Sequence, residues 1–193
     1  MIIDISQEVF SCKVFPGDPS PAMERIQSME QGNICNLTTF TMCAHNGTHV
    51  DAPFHFIHSG DTIEKIGLDS FVGDCYVVRW EGNITAEDAA SIMERAKAAG
   101  ASTRILIAGK ATVTVDAARI FAQSNIKLIG NESQTVGPED EPMEVHLILL
   151  GAGIVLLEGI VLTDVPEGKY LLSAAPLNLA GCDGAPCRAF LIG

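Results

Sequence analysis

Histidines and one aspartate are concentrated in a short run near the start of the chain. Residues 45–55 read His-Asn-Gly-Thr-His-Val-Asp-Ala-Pro-Phe-His, and four of the five histidines lie between His45 and His58. Imidazole nitrogens and carboxylate oxygens are ligands of Zn²⁺, Mn²⁺ and Fe²⁺, and three protein ligands leave a position for water. The run therefore predicts a catalytic metal site. The alternative is a cluster of hydrogen-bonded histidines in a polar loop.

The backbone expected for this run favours convergence of its side chains. Asn46-Gly47 is typical of a turn, so His45 and His49 are not expected to be a helical pair. Pro53 argues against a helix, and we expect the chain to be extended beyond the turn. Because alternate side chains of an extended chain share a face, His49 and Asp51 should point the same way. The turn can then fold His45 back towards them, whereas His58 lies outside the run and should be exposed.

The rest of the sequence predicts the elements that position this run. Thr85 is a suitable N-cap for a helix that ends at Gly100, and further helices are expected over 114–121 and 143–150. Apolar segments rich in β-branched residues predict strands, whereas 14–19 should be a loop. The predicted strands are 2–5, 34–43, 75–80, 104–108, 126–129, 154–157, 170–173 and 188–192. This order favours one α/β domain over residues 1–193, with helices packed on a mixed β-sheet.

The composition disfavours several function classes. A net charge of −12 argues against nucleic acid or an anionic membrane surface as partner, because phosphate binding needs clustered Lys and Arg. No stretch approaches the roughly 20 unbroken apolar residues of a membrane helix. The first residues lack a secretory signal, so we expect a cytoplasmic protein. Its six cysteines should then be mostly buried and unpaired, although Cys182 and Cys187 could pair or bind metal.

The histidine run resembles the H-x-G-T-H-x-D-x-P-x-H signature of the cyclase-like metal hydrolases and matches it at every fixed position. That family includes the bacterial kynurenine formamidases and the isatin hydrolases. Weaker matches follow in the expected order along nearly the whole chain: Asp4-Ile5-Ser6, Pro16-Gly17-Asp18, His146, 157–159, 165–168 and Gly181-x-Asp183-x-x-Pro186-x-Arg188. The resemblance implies the swivelling β/β/α fold of the cyclase-like proteins.

The resemblance also implies two divalent metal ions per chain, zinc first and manganese as the alternative. His45, His49 and Asp51 would bind the first ion. Asp51 and Glu158 would bridge to a second ion, which His146 completes. The residues alone show only a His and a Glu inside an apolar tract, which would ordinarily sit at the surface ends of their elements. An interior Glu158 would need a cation partner.

The function implied is hydrolysis of an amide C–N bond in a small molecule, such as the N-formyl aryl amide N-formyl-kynurenine. His55 would be the general acid/base that protonates the departing amine. Phe15, Phe54 and Phe56 are candidates for an apolar wall beside an aryl group. Phe15 stands where the kynurenine formamidases usually carry Trp, which changes the shape of the pocket.

Two alternatives remain open. The first is a hydrolase of a cyclic amide or ester, of the isatin-hydrolase or lactonase type, with the same metal chemistry. The second is a binding protein whose metals are only structural, against which the spare His55 argues. The resemblance and the high apolar content together imply a homodimer or a higher homo-oligomer.

Overall fold

A computed structural model describes residues 1–193, which form thirteen strands and three α-helices. The helices are α1 (Ala86–Ala98), α2 (Val115–Ala122) and α3 (Met143–Gly151). The strands are β1 (Ile2–Asp4), β2 (Ala22–Gln27), β3 (Leu37–Thr41), β4 (His49–Asp51), β5 (Val72–Arg79), β6 (Gly82–Ile84), β7 (Arg104–Ala108), β8 (Ala111–Val113), β9 (Leu128–Asn131), β10 (Val155–Glu158), β11 (Gly168–Ser173), β12 (Gly184–Pro186) and β13 (Phe190–Ile192).

Nine strands make one mixed sheet in the order β1-β13-β11-β5-β7-β9-β10-β4-β12. Its centre, β5-β7-β9-β10, is parallel, and the strands on either side pair antiparallel. Each parallel step passes through one of the three helices, because parallel neighbours need a crossover. Two smaller sheets complete the chain: the antiparallel hairpin of β2 and β3, and the parallel pair of β6 and β8.

Local signals account for the helix ends. The Thr85 side chain accepts from the backbone N–H of Asp88, and the Asp88 carboxylate accepts from Thr85 in return, which is a capping box. Gly100 follows the C-cap of α1, Ala99, and its φ of +67° suits glycine. The Thr114 side chain caps α2 by accepting from the backbone N–H of Ala117. Three helices and the alternation with strands are thus confirmed.

Two apolar cores lie on the two faces of the sheet. The buried apolar residues of all three helices pack on one face, together with Ile105, Ile129 and Leu156 of the parallel strands. The other core brings together residues from both halves of the sheet, such as Val50 and Leu172. The sheet is therefore curled around this second core, and the α/β fold with a mixed sheet is confirmed.

Several sequence-based expectations need correction. Strands β2, β6, β8 and β12 were not predicted, because they are short or lack an apolar alternation. The extended run beyond the turn lasts only for β4, since Pro53–His55 forms a 3₁₀ turn with Pro53 at its start, where proline fits. Strand β9 begins two residues later than expected, and β3 covers only part of 34–43.

All six cysteines are free, including Cys182 and Cys187. Only Cys75 is fully buried, so the expectation that most cysteines are buried is wrong. Cys35 is exposed and the remaining four are half-buried. No helix of this structure combines the length and the apolar character that crossing a membrane requires.

Candidate metal centre and active site

Strand β4 carries two of the candidate ligands on one face. His49 and Asp51 point the same way and bring His49 Nε2 within 3.4 Å of Asp51 Oδ1, whereas Val50 between them enters the second core. Both side chains are about 1% exposed. The predicted alternation of the extended run is confirmed at these positions.

The predicted turn returns His45 to the strand. Gly47 has a φ of +67°, which favours glycine, and the Asn46 side chain accepts from the backbone N–H of Cys43 at 2.9 Å. His45 Nδ1 donates to Asp51 Oδ1 at 2.8 Å. His58, outside the turn and strand, is exposed as expected.

Glu158 and His146 join the cluster from distant parts of the chain. Glu158 ends β10 and is the register partner of His49 in an antiparallel pair. His146 lies on α3, with Nε2 3.3 Å from Glu158 Oε1 and 3.6 Å from Asp51 Oδ2. Both side chains are about 3% exposed. The residue types alone favour surface positions for His146 and Glu158, and this expectation is wrong.

Backbone carbonyls set the tautomers of two of the histidines. His49 Nδ1 donates to Gly47 O at 3.0 Å, and His146 Nδ1 donates to Pro142 O at 2.8 Å. A carbonyl oxygen can only accept, so Nδ1 carries the proton in both rings. Each Nε2 is thereby directed at the carboxylates, which is the orientation that metal-binding histidines use.

The residues fit a divalent cation. One donor atom each from His49, Asp51 and Glu158 lies within 4.8 Å of the others. His49 Nε2 and Asp51 Oδ2 are buried without a hydrogen-bond partner, which is costly unless another group satisfies them. A set of imidazole and carboxylate donors is suited to Zn²⁺ or Mn²⁺.

The protonation of the cluster follows from its carboxylates. Burial disfavours the cation of His45, but hydrogen bonds to Asp183 and Asp51 outweigh it and raise the pKa of His45 to about 11. Burial is likewise outweighed at His49, where Asp51 and Glu158 raise the pKa to about 9. Burial would raise the pKa of Asp51, but the hydrogen bond from His45 and the adjacent His49 imidazole outweigh burial and hold this pKa well below its ordinary value.

Asp183 is a member of the cluster to which the sequence assigned no role. Its Oδ2 accepts from His45 Nε2 at 2.9 Å and from His55 Nδ1 at 3.1 Å. These hydrogen bonds hold the pKa of Asp183 well below its ordinary value. The C-terminal motif with Gly181 and Pro186 was the only signal for it.

His55 stands beside the cluster on the 3₁₀ turn. One nitrogen of its ring lies within 4.8 Å of ligand atoms of both His45 and Asp51, and its ring stacks on that of His45. It is therefore close enough to be a metal ligand as well as an acid/base.

The cluster opens into a cavity of about 220 Å³. Phe15 and Phe56 line it, whereas Phe54 does not. Asp18, from the Pro-Gly-Asp loop, also lines it, and no Lys or Arg does. A cavity with two aromatic rings and two carboxylates suits a small aryl molecule.

Known proteins resemble this chain over nearly its full length. A family model described as "Putative cyclase" matches residues 3–138. A kynurenine formamidase of Erythrobacter litoralis (strain HTCC2594) is 33% identical, over 98% of this chain and 93% of the relative. A kynurenine formamidase of Salinibacter ruber (strain DSM 13855 / M31) is 35% identical, over 98% of this chain and 96% of the relative.

Solved structures share the fold. One described as a potential metal-dependent hydrolase with cyclase activity has a TM-score of 0.82 at 29% identity, covering 99% of this chain and 96% of that chain. Isatin hydrolase A from Labrenzia aggregata also has a TM-score of 0.82, at 21% identity, covering 99% of this chain and 93% of that chain. Since the family model spans more than half of the 193 residues and the formamidases span almost all of them, this chain belongs to the cyclase family and is an enzyme.

Proposed function

We propose that this chain is a metal-dependent hydrolase of an amide C–N bond, with an N-formyl aryl amide such as N-formyl-kynurenine as substrate. The observation that carries the proposal is the buried cluster of His49, Asp51, Glu158 and His146 at a cavity lined by two phenylalanines. The likeness to two kynurenine formamidases supports the choice of substrate.

The ligand set we propose is His45, His49 and Asp51 for one ion, with Asp51, Glu158 and His146 for a second. When bound, the ions would polarise the amide carbonyl and lower the pKa of water. The number of donors and their chemistry support two ions per chain, with zinc first and manganese as the alternative. Elemental analysis of purified protein is the direct measurement, and full activity without metal would refute the proposal.

His55 is the residue we propose to move protons. Hydrolysis forms a bond from water oxygen to the formyl carbon and breaks the C–N bond, so the departing nitrogen must gain a proton. His55 lies at the cavity with Nδ1 held by Asp183, which leaves Nε2 for this exchange. The products are formate and the free aryl amine.

A substrate panel tests the proposal against the alternative of a cyclic amide or ester. We expect formate release from N-formyl-kynurenine at a higher kcat/KM than hydrolysis of isatin or of simple lactones. A preference for isatin would instead support a cyclic substrate. Phe15, which stands in place of the usual Trp and changes the shape of the pocket, would be a reason for that preference. Hydrolysis of none of these by metal-loaded protein would favour a binding protein with structural metals.

We further propose a homodimer in the cytoplasm, with the β2–β3 hairpin at the interface. Both strands are exposed throughout except for the partly covered Gln27, and the register pair of Met23 and Phe40 is about 60% exposed. An isolated two-stranded hairpin is marginally stable in water, and exposed apolar patches of this kind mark interfaces. Twofold homodimers are the commonest assemblies, so a second copy is the partner we propose.

A further inference from the structure

One carboxylate oxygen serves two histidines at the edge of the cluster. Asp183 Oδ2 accepts from His45 Nε2 at 2.9 Å and from His55 Nδ1 at 3.1 Å. The two imidazole rings are stacked, with centroids 4.0 Å apart and planes inclined by 28°. Asp183 therefore connects a proposed metal ligand to the proposed acid/base.

The sheet fixes the position of this carboxylate. The backbone N–H of Ala52 donates to the Asp183 carbonyl at 2.9 Å, and Gly184, the next residue, pairs with Asp51 across β12 and β4. A Cβ on Gly184 would lie 2.9 Å from Cε1 of His45, so the glycine allows the ring to pack against the strand. Asp183 is thus held to the ligand strand by backbone contacts.

The hydrogen bonds define which nitrogen of each ring is available. A carboxylate can only accept, so His55 carries a proton on Nδ1 and keeps Nε2 for exchange with substrate. By the same reasoning, both nitrogens of His45 carry protons before metal binds. Asp183 holds the proton on Nε2, so Nδ1, 2.8 Å from Asp51, is the nitrogen that would give up its proton to a cation. Carboxylates that hold the second nitrogen of a ligating histidine orient the ring and increase its basicity.

We infer that Asp183 is a positioning residue that sets the tautomer and orientation of both His45 and His55. Its effect on reaction rate rests on the proposed function, whereas its effect on the two rings does not. A residue of this kind should change ring protonation, metal affinity and kcat while leaving substrate affinity largely intact.

Nitrogen-15 NMR of the histidine rings tests the inference without any catalysis. In protein stripped of metal, at a pH where His55 is neutral, we expect the proton of its ring on Nδ1. In Asp183→Ala we expect it to move to Nε2 in a substantial fraction of molecules. Asp164→Ala, which alters an exposed aspartate outside the cavity, should leave the spectrum unchanged. A wild-type ring protonated on Nε2 alone would overturn the inference.

Kinetics at saturating metal tests the coupling to His55. Asp183→Ala should lower kcat by roughly 10- to 100-fold with little change in KM, and should weaken metal binding by a similar factor. Combined with His55→Ala, it should lower kcat no further than His55→Ala alone, because both variants remove the same proton transfer. Losses that multiply would overturn the coupling.

A second variant covers the case in which Asp183→Ala does not fold. Asp183→Asn keeps the size of the side chain and removes its charge, so smaller changes in the same direction are expected. A variant that shows no change in ring protonation, metal affinity or kcat would contradict the inference. If even wild-type protein hydrolyses no amide, the proposed function fails. The NMR result would still decide the role of Asp183.

Discussion

Glu158 lies directly opposite His49 in the antiparallel pair of β4 and β10, with His49 Nε2 3.5 Å from Glu158 Oε2. This register brings a carboxylate more than a hundred residues away to the face of the strand that already carries Asp51. Residues directly opposite each other share a face of the sheet. The pairing of two strands, and not a local motif, therefore completes the buried donor set.

Two variants, His49→Ala and His55→Ala, distinguish the proposed metal ligand from the proposed acid/base within one short segment. His49→Ala should lose metal and activity together, since His49 is buried in the donor set. His55→Ala should keep its metal while kcat falls by something on the order of 10²- to 10⁴-fold, the usual effect of general acid–base catalysis. Metal content and kcat are measured on the same samples. If His55→Ala loses metal as badly as His49→Ala, His55 is a ligand and the role proposed for it is wrong.

Metal binding should release protons. With pKa values of about 11 for His45 and about 9 for His49, both rings are protonated at pH 7.5 before metal binds. Each must lose a proton to become a ligand, so we expect about two protons released from these rings. Calorimetry in buffers of different ionisation enthalpy measures this number, and metal affinity should rise with pH. Affinity independent of pH between 6 and 9 would contradict these assignments.

The same two pKa values predict the stability of metal-stripped protein. Both folded-state values lie above the ordinary 6.5 of histidine, so protonated His45 and His49 stabilise the folded protein. This stabilisation is fully present below pH 6.5. It should be lost as the pH rises through 9 and towards 11. Thermal denaturation across this range checks the direction, and a His45→Ala variant should show a weaker dependence on pH.

Gly159 should tolerate no side chain. Its φ is +65°, and an added Cβ would lie 2.4 Å from the carbonyl oxygen of Gly47, in the turn between His45 and His49. Gly153 is the matched control, because its φ is +75° but nothing lies within 4 Å of an added Cβ. We expect Gly153→Ala to lower the free energy of unfolding by about 1 kcal/mol through backbone strain alone. Gly159→Ala should lower it by about 3 kcal/mol and weaken metal binding.

Chemical denaturation and metal titration of the two variants give both quantities. Equal losses of stability in the two variants would mean that the close approach of Gly159 to Gly47 does not contribute to the cost of the substitution.

Asp18 should recognise a positive charge on the substrate. It lines a cavity that contains no Lys or Arg, and N-formyl-kynurenine carries an α-ammonium group at neutral pH. We expect Asp18→Asn to raise KM for N-formyl-kynurenine by about tenfold, equivalent to about 1.4 kcal/mol. Formanilide lacks the ammonium group, so its KM should not change. A similar rise in KM for both substrates would point to a general effect on the cavity.

The β2–β3 hairpin should control the oligomeric state. Replacing Met23 and Phe40 together by serine should convert a dimer into a monomer at micromolar concentration, as measured by light scattering. Leu68→Ser is the control, because Leu68 is 66% exposed and lies outside the hairpin. A monomeric wild-type protein would refute the dimer, and a double variant that stays dimeric would place the interface elsewhere.

Local sequence is sufficient to specify one half of the site. His45, His49 and Asp51 lie within seven residues, so the Asn46-Gly47 turn and the alternation of a strand are sufficient to bring them together. The three helices were equally predictable, because the threonine caps of α1 and α2 and the apolar tract of α3 are local signals. The proline at residue 53 was misjudged, since a proline that ends one element can also begin a 3₁₀ turn.

The other half of the site depends on how distant segments pack in the folded chain. Glu158, His146 and Asp183 reach the cluster through strand register and helix packing, and no local pattern encodes contacts between residues so distant in the chain. Family resemblance implies roles for the first two, whereas the place of the Asp183 carboxylate between two imidazole rings is a feature of the folded chain alone. The physical reason is that register depends on the burial of whole strand faces in a shared core, which is a property of the folded sheet.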